Sequence, residues 1–97
     1  MMLSDNARAA ALETVPGWIY DAAERAIRRD FRFADFGEAF AFMTRVAIAA
    51  EKLDHHPDWS NSWNKVAVSL STHSAGGVTA KDLALARLMD GFAASLP

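Results

Sequence analysis

All three histidines of this 97-residue chain lie between Glu51 and Asp82, in the stretch EKLDHHPDWSNSWNKVAVSLSTHSAGGVTAKD. Imidazole is the side chain whose unperturbed pKa sits near neutral pH, so it can give or take a proton there. His55, His56 and His73 in one segment, with Glu51 and Asp82 at its borders, point to acid–base chemistry on a small molecule. Glu51 precedes His55 by four residues, which puts the two on one helix face. Pro57 pushes the residue before it out of the α region, so the histidine pair falls at or just past a helix end. Unpaired carbonyls at such an end favour positive charge.

Each of these residues also has a plainer reading. His55 can simply cap a helix, His56 can be an exposed residue before proline, and His73 can hydrogen-bond at a strand end. Glu51 and His55 can form a surface pair, and Asp82 stands where a capping-box acid belongs. Trp63 at strand spacing can be core. Histidines with a carboxylate can hold Zn²⁺. Adjacent histidines rarely share one ion, however, and no HExxH spacing is present, so no metal is expected.

The chain is long enough for one modest core and reads as a single domain, residues 1–97. It has no cysteine, which excludes disulfides and thiolate metal sites and suits the cytoplasm. Its start, MMLSDNARAA, lacks a basic stretch followed by an apolar run, so no signal peptide is expected. No apolar run reaches the roughly 20 residues that span a bilayer, so no membrane partner is expected. Net charge is −2 with both signs interspersed. Arg25, Arg28, Arg29 and Arg32 read as the solvated side of a strand pair, and direct nucleic-acid binding is not expected.

The elements that must position the histidines follow in order. Residues 4–14 read as a helix capped by Ser4 and stopped by Pro16-Gly17. Trp18–Tyr20 and Ala26–Phe33 read as a hairpin turning near Ala22–Arg25, with Ile27, Phe31 and Phe33 on one face. Asp35 opens a helix that Glu38 can answer. Phe36, Phe40, Met43, Ala47 and Ala50 recur at helical spacing and should face the sheet. A second strip, Ala41, Phe42, Ile48 and Ala49, then asks for a second cover, most simply another subunit. Residues 63–73 read as a strand that puts Trp63 and His73 on one face. Ser74–Gly77 turns the chain, and Thr79-x-x-Asp82 opens a last helix with Leu85, Leu88, Met89, Phe92 and Leu96 buried. Helix, two strands, helix, strand, helix implies an α+β fold, an antiparallel sheet with helices on one face.

The whole set, Glu51-x3-His55-His56-Pro57-x5-Trp63-x9-His73-x8-Asp82, resembles position by position the pattern of the pterin-4a-carbinolamine dehydratases. The resemblance extends to Gly17-Trp18, Phe31-Arg32-Phe33, Asp35-Phe36, Phe42–Ala47, Ala50–Asp54, Asn64-Lys65-Val66 and Leu70–His73, and covers nearly the whole chain from Gly17. It departs at Ala22-Ala23-Glu24, where a glycine is often found, and at Trp63, frequently tyrosine.

The resemblance implies a four-stranded antiparallel sheet with three helices packed on one face, the fourth strand falling near Trp59–Ser62. It implies dehydration of a 4a-hydroxytetrahydropterin to the quinonoid dihydropterin, which regenerates tetrahydrobiopterin for aromatic amino acid hydroxylation without a metal or organic cofactor. His55 and His73 would be the acid–base pair and His56 would bind and orient the pterin. Pro57, Thr72, Ser74 and Ala75 would line the pocket with backbone groups, Glu51 and Asp82 would support the histidines, and Trp18 would border the pocket, with Trp63 at its motif position. It also implies a homodimer or homotetramer. The competing reading is a binding protein, since some relatives serve as dimerisation cofactors of a transcription factor. Here the surface would be the Phe42/Ile48 side of the middle helix.

Overall fold

Short-range chemistry sets the ends of each element. In a computed structural model, which describes residues 1–96, the Ser4 hydroxyl accepts from the Ala7 N–H and opens α1 (Asp5–Leu12). The chain then tucks Val15 and Trp18 into the core and enters β1 (Ile19–Asp21), which pairs antiparallel with β2 (Ala26–Arg32). No glycine helps this turn. Arg25 takes the left-handed backbone instead, at φ 52°, and the Asp21 carboxylate accepts from the Glu24 N–H and from Arg28, each at 3.2 Å. The Glu24 N–H, with the Arg28 side chain second, holds the Asp21 carboxyl below its ordinary value of 3.8.

Asp35 caps α2 (Phe36–Leu53) by accepting from the Glu38 N–H. Glu38 reaches back to the Ala34 N–H, one residue further than a reciprocal box requires. β3 (Asp58–Ser62) and β4 (Lys65–Leu70) form a second antiparallel hairpin. A 3₁₀ turn, His73–Ala75, leads towards α3 (Ala80–Ala94), which opens on the expected Thr79–Asp82 capping box. The sheet runs β1-β2-β4-β3, all antiparallel.

Ile27, Phe31, Val66, Val68 and Leu70 face the helices; Ala39, Phe42, Val46 and Ala50 of α2 and Leu85, Ala86 and Met89 of α3 meet them in one core. The Phe42 ring lies 4.7 Å from Phe31 and 5.0 Å from Phe33, centroid to centroid. No helix among the described residues is long and apolar enough to cross a membrane.

Four expectations need correction. The expected strand 63–73 is shorter, Lys65–Leu70; Trp63 sits before it in the hairpin turn at φ 50°, and His73 follows it in the 3₁₀ turn. The two strips of α2 are exchanged in part: Phe42 is buried, whereas Phe36 and Phe40 are exposed beside Ile48. Both strips repeat at helical spacing, and the sheet selects the one that packs against the Phe31 and Phe33 rings. Leu88 of α3 is exposed and Leu83 is buried in its stead. Finally, Arg29 lies on the helix side of β2, where it pairs with Asp90 of α3 at 2.6 Å, so the arginines are not one solvated row.

Candidate functional site

The end of α2 separates two adjacent histidines. Asp54 takes the left-handed conformation, φ 51° and ψ 42°. Its N–H donates to the Glu51 carbonyl, and the His55 N–H donates to the Ala50 carbonyl. This pair of bonds is a Schellman closure, which usually uses glycine at the left-handed position. The reversal turns His55 inward and leaves His56 outside.

His55 has only 10% of its side chain exposed, and its Nε2 lies 2.6 Å from Asp82 Oδ1. Asp82 has no exposed side-chain surface. Its Oδ2 accepts from the Thr79 N–H at 2.8 Å and from the Thr72 hydroxyl at 2.9 Å. The same carboxylate therefore completes the helix cap and pairs with His55. His56 Nε2 is 2.7 Å from Glu51 Oε1, both side chains being exposed. Glu51 thus meets His56 and not His55, because the left-handed Asp54 breaks the helical register on which the four-residue spacing relied.

His73 stands at the start of the 3₁₀ turn, 84% exposed, with Nε2 3.6 Å from Asp58 Oδ2 at the head of β3. An open cavity of about 450 Å³ gathers His55, His56 and His73. Pro57, Thr72 and Ser74 form part of its wall, together with Asp54, Asp58, Ser71 and Lys81. Pockets for small molecules commonly run to roughly 300–1,000 Å³. Among the described residues no buried side-chain nitrogen or oxygen lacks a partner. His55 Nδ1 has no partner among them and is therefore accessible, not buried.

Three expected site residues lie elsewhere. Ala75 borders a neighbouring cavity with Met1, Met2 and Thr79. Trp18 is buried beside Phe31 and donates its indole N–H to Asp90 Oδ1 at 2.8 Å. Trp63 stands at the opposite end of β4 from His73, so the two do not share a face. Conversely, Asp58 and Lys81 escaped the sequence reading. Each is next in the chain to a motif residue, Pro57 and Asp82, and that adjacency was the available signal. Among the described residues no three histidine, aspartate or glutamate side chains converge as a possible metal site.

The fold and site define an α+β domain in which an antiparallel sheet, backed by helices on one face, gathers three histidines at one end. The sequence pattern of the family described as pterin 4 alpha carbinolamine dehydratase matches residues 1–92, and the chain belongs to that family. A protein of Rhizorhabdus wittichii named "Putative pterin-4-alpha-carbinolamine dehydratase" is 54% identical over 91 residues, covering 94% of each chain. One of the same name from Afipia carboxidovorans is 56% identical, covering 96% of this chain and 93% of its own. The crystal structure of a transcriptional coactivator/pterin dehydratase from Brucella melitensis matches with a TM-score of 0.93 at 45% identity, covering 96% of this chain and 99% of that one. A pterin dehydratase-like RuBisCO assembly factor of the alpha-carboxysome shares the fold, with a TM-score of 0.70 at 21% identity over 82% of this chain and 93% of that one.

Proposed function

We propose that this protein removes water from a 4a-hydroxytetrahydropterin, giving the quinonoid dihydropterin, and so supports tetrahydrobiopterin recycling for aromatic amino acid hydroxylation. Family membership supports the reaction class. The observation that carries the reading is the cavity that gathers all three histidines, one of them anchored on a buried carboxylate.

The chemistry is a balanced loss of water. The C4a–O bond breaks, a delivered proton lets the hydroxyl leave as water, and the proton on N5 is taken up; no electrons are exchanged with another molecule. Each positioned acid or base contributes typically about 10²–10⁴-fold. His55 and His73, which both line the cavity, are the acid–base pair. His56, paired with Glu51 at the rim, binds and orients the pterin. Pro57, Thr72 and Ser74 supply the wall.

The test is the absorbance change of a freshly generated 4a-hydroxytetrahydropterin. Wild type accelerates the decay; His55→Ala and His73→Ala each lower turnover by about 10²-fold or more, with unchanged circular dichroism. Near-normal turnover in either folded variant contradicts the role given to that histidine.

A second reading, a partner-binding protein, is favoured by one observation. Phe36, Phe40 and Ile48 leave an apolar strip along the outside of α2, with the Phe36 and Phe40 rings 5.8 Å apart. The surface is this strip and not one that includes Phe42, which is buried. Self-association into a dimer or tetramer uses the same strip. Under the partner-binding reading the histidines are dispensable and Phe40 is not.

A further inference from the structure

We propose that Thr72 is a positioning residue: its hydroxyl, acting through Asp82, fixes which nitrogen His55 presents to the cavity. The catalytic consequence rests on the dehydratase reading; the geometry does not.

Thr72 Oγ1 lies 2.7 Å from Thr79 Oγ1 and 2.9 Å from Asp82 Oδ2. A hydroxyl has one proton to give, whereas an ionised carboxylate only accepts. Asp82 already receives the Thr79 N–H on Oδ2 and faces His55 Nε2 with Oδ1, contacts that suit the charged form. Thr72 therefore gives its proton to Asp82, and Thr79 gives its own to Thr72. Thr79 Oγ1 in turn accepts from the Lys81 N–H at 3.2 Å. The chain runs one way: Lys81 N–H, Thr79 O–H, Thr72 O–H, Asp82 carboxylate. At its far end His55 Nε2 must carry the proton. A neutral imidazole has one N–H, so the accessible Nδ1 is left bare, on a residue that lines the cavity. Proton transfer in either direction then passes through Nδ1.

Thr72 can do this because its backbone is pinned. Its N–H donates to the Gly77 carbonyl at 2.9 Å, and its own carbonyl accepts from the Ala75 and Gly76 N–H groups at 3.0 and 3.1 Å. Gly76 takes φ 80°, which lets the turn close on Thr72. The hydroxyl is thus fixed relative to His73, the next residue, and ties His55 and His73 to one frame. Valine at position 72 keeps the branched shape and removes both the donor and the acceptor. Asp82 then loses one of three donors, and the Thr79 hydroxyl loses its acceptor.

The experiment is ¹⁵N NMR of histidine-labelled full-length protein at a pH where the His55 ring is neutral, read beside turnover. In wild type His55 is protonated on Nε2. In Thr72→Val the Nδ1–H form becomes populated and kcat falls about 10- to 100-fold with KM nearly unchanged, the loss expected for a hydrogen bond to a charged group. Thr72→Ser restores both. A wild-type His55 protonated on Nδ1 overturns the proposal, as does a Thr72→Val protein with wild-type tautomer and kcat, or a serine variant no better than valine. Thr72→Ala replaces valine if that variant does not fold, and the wild-type spectrum decides the tautomer by itself. An inactive wild type that keeps the Nε2–H form supports the positioning geometry while overturning the dehydratase reading.

Discussion

Asp82 answers two demands with one carboxylate. One oxygen takes the Thr79 N–H and the Thr72 hydroxyl, the other takes His55. An asparagine keeps the size but turns an NH₂ towards one of those three donors. A buried donor left unmatched costs about 1–3 kcal/mol. Asp82→Asn should therefore lower the unfolding free energy read from urea denaturation by that amount, and lower turnover together with it. A variant with the wild-type midpoint would show that the three donors do not depend on the charge. The capping half of this arrangement was legible, because Thr79-x-x-Asp82 is a local pattern. The His55 half was legible only through the family resemblance, which gave Asp82 to the histidines without saying which one. The two residues are 27 apart in the chain, and the direction of His55 is set by the left-handed Asp54, a conformation that no glycine announced. The same turn handed Glu51 to His56.

At the scale of elements, α2 carries two apolar strips with different duties. Phe42, fully buried against Phe31 and Phe33, should cost about 3–5 kcal/mol on truncation to alanine, whereas exposed Phe40 should change the stability of a dilute sample by within about 0.5 kcal/mol. Chemical denaturation of both variants checks the assignment; equal losses would contradict it. Helical spacing could not separate the strips because both obey it. The alternation of β2 and β4 was legible for the opposite reason: one face of each is buried and the other is not. β3, DWSNS, escaped full definition because it is a polar edge strand with only Trp59 half-buried. The first hairpin offers a pH signature. Asp21 is held below its ordinary value of 3.8 by the Glu24 N–H and Arg28. The unfolded chain therefore takes up the proton first, so the stabilisation is present above 3.8 and fades as pH falls below it. Asp21→Asn should be less stable than wild type at about pH 6, and the gap should shrink towards about pH 3. A gap independent of pH would assign it to turn geometry alone.

Across the whole molecule the cavity draws on one end of a single chain. The end of α2, the head of β3, the turn after β4 and the first turn of α3 all supply wall residues. The exposed strip of α2 begins at Phe36, at the far end of that helix. With a rise of about 1.5 Å per residue, Phe36 stands roughly 27 Å along the axis from the Asp54 end and Ile48 roughly 9 Å, and neither they nor Phe40 line the cavity. Catalysis and association should therefore be separable. The double variant Phe40→Glu, Ile48→Glu places charge on two side chains that are 57% exposed in the free chain. It should fold, shift an associated wild type to monomer in sedimentation velocity, and keep turnover within about threefold, since neither residue touches the cavity and surface substitutions are energetically mild. A wild type that sediments as a monomer would remove self-association as the purpose of the strip and favour a different protein partner. A folded monomeric variant without turnover would carry the larger lesson. A second copy would then complete or order the His55, His56 and His73 cavity, and the histidines of one chain would be insufficient by themselves.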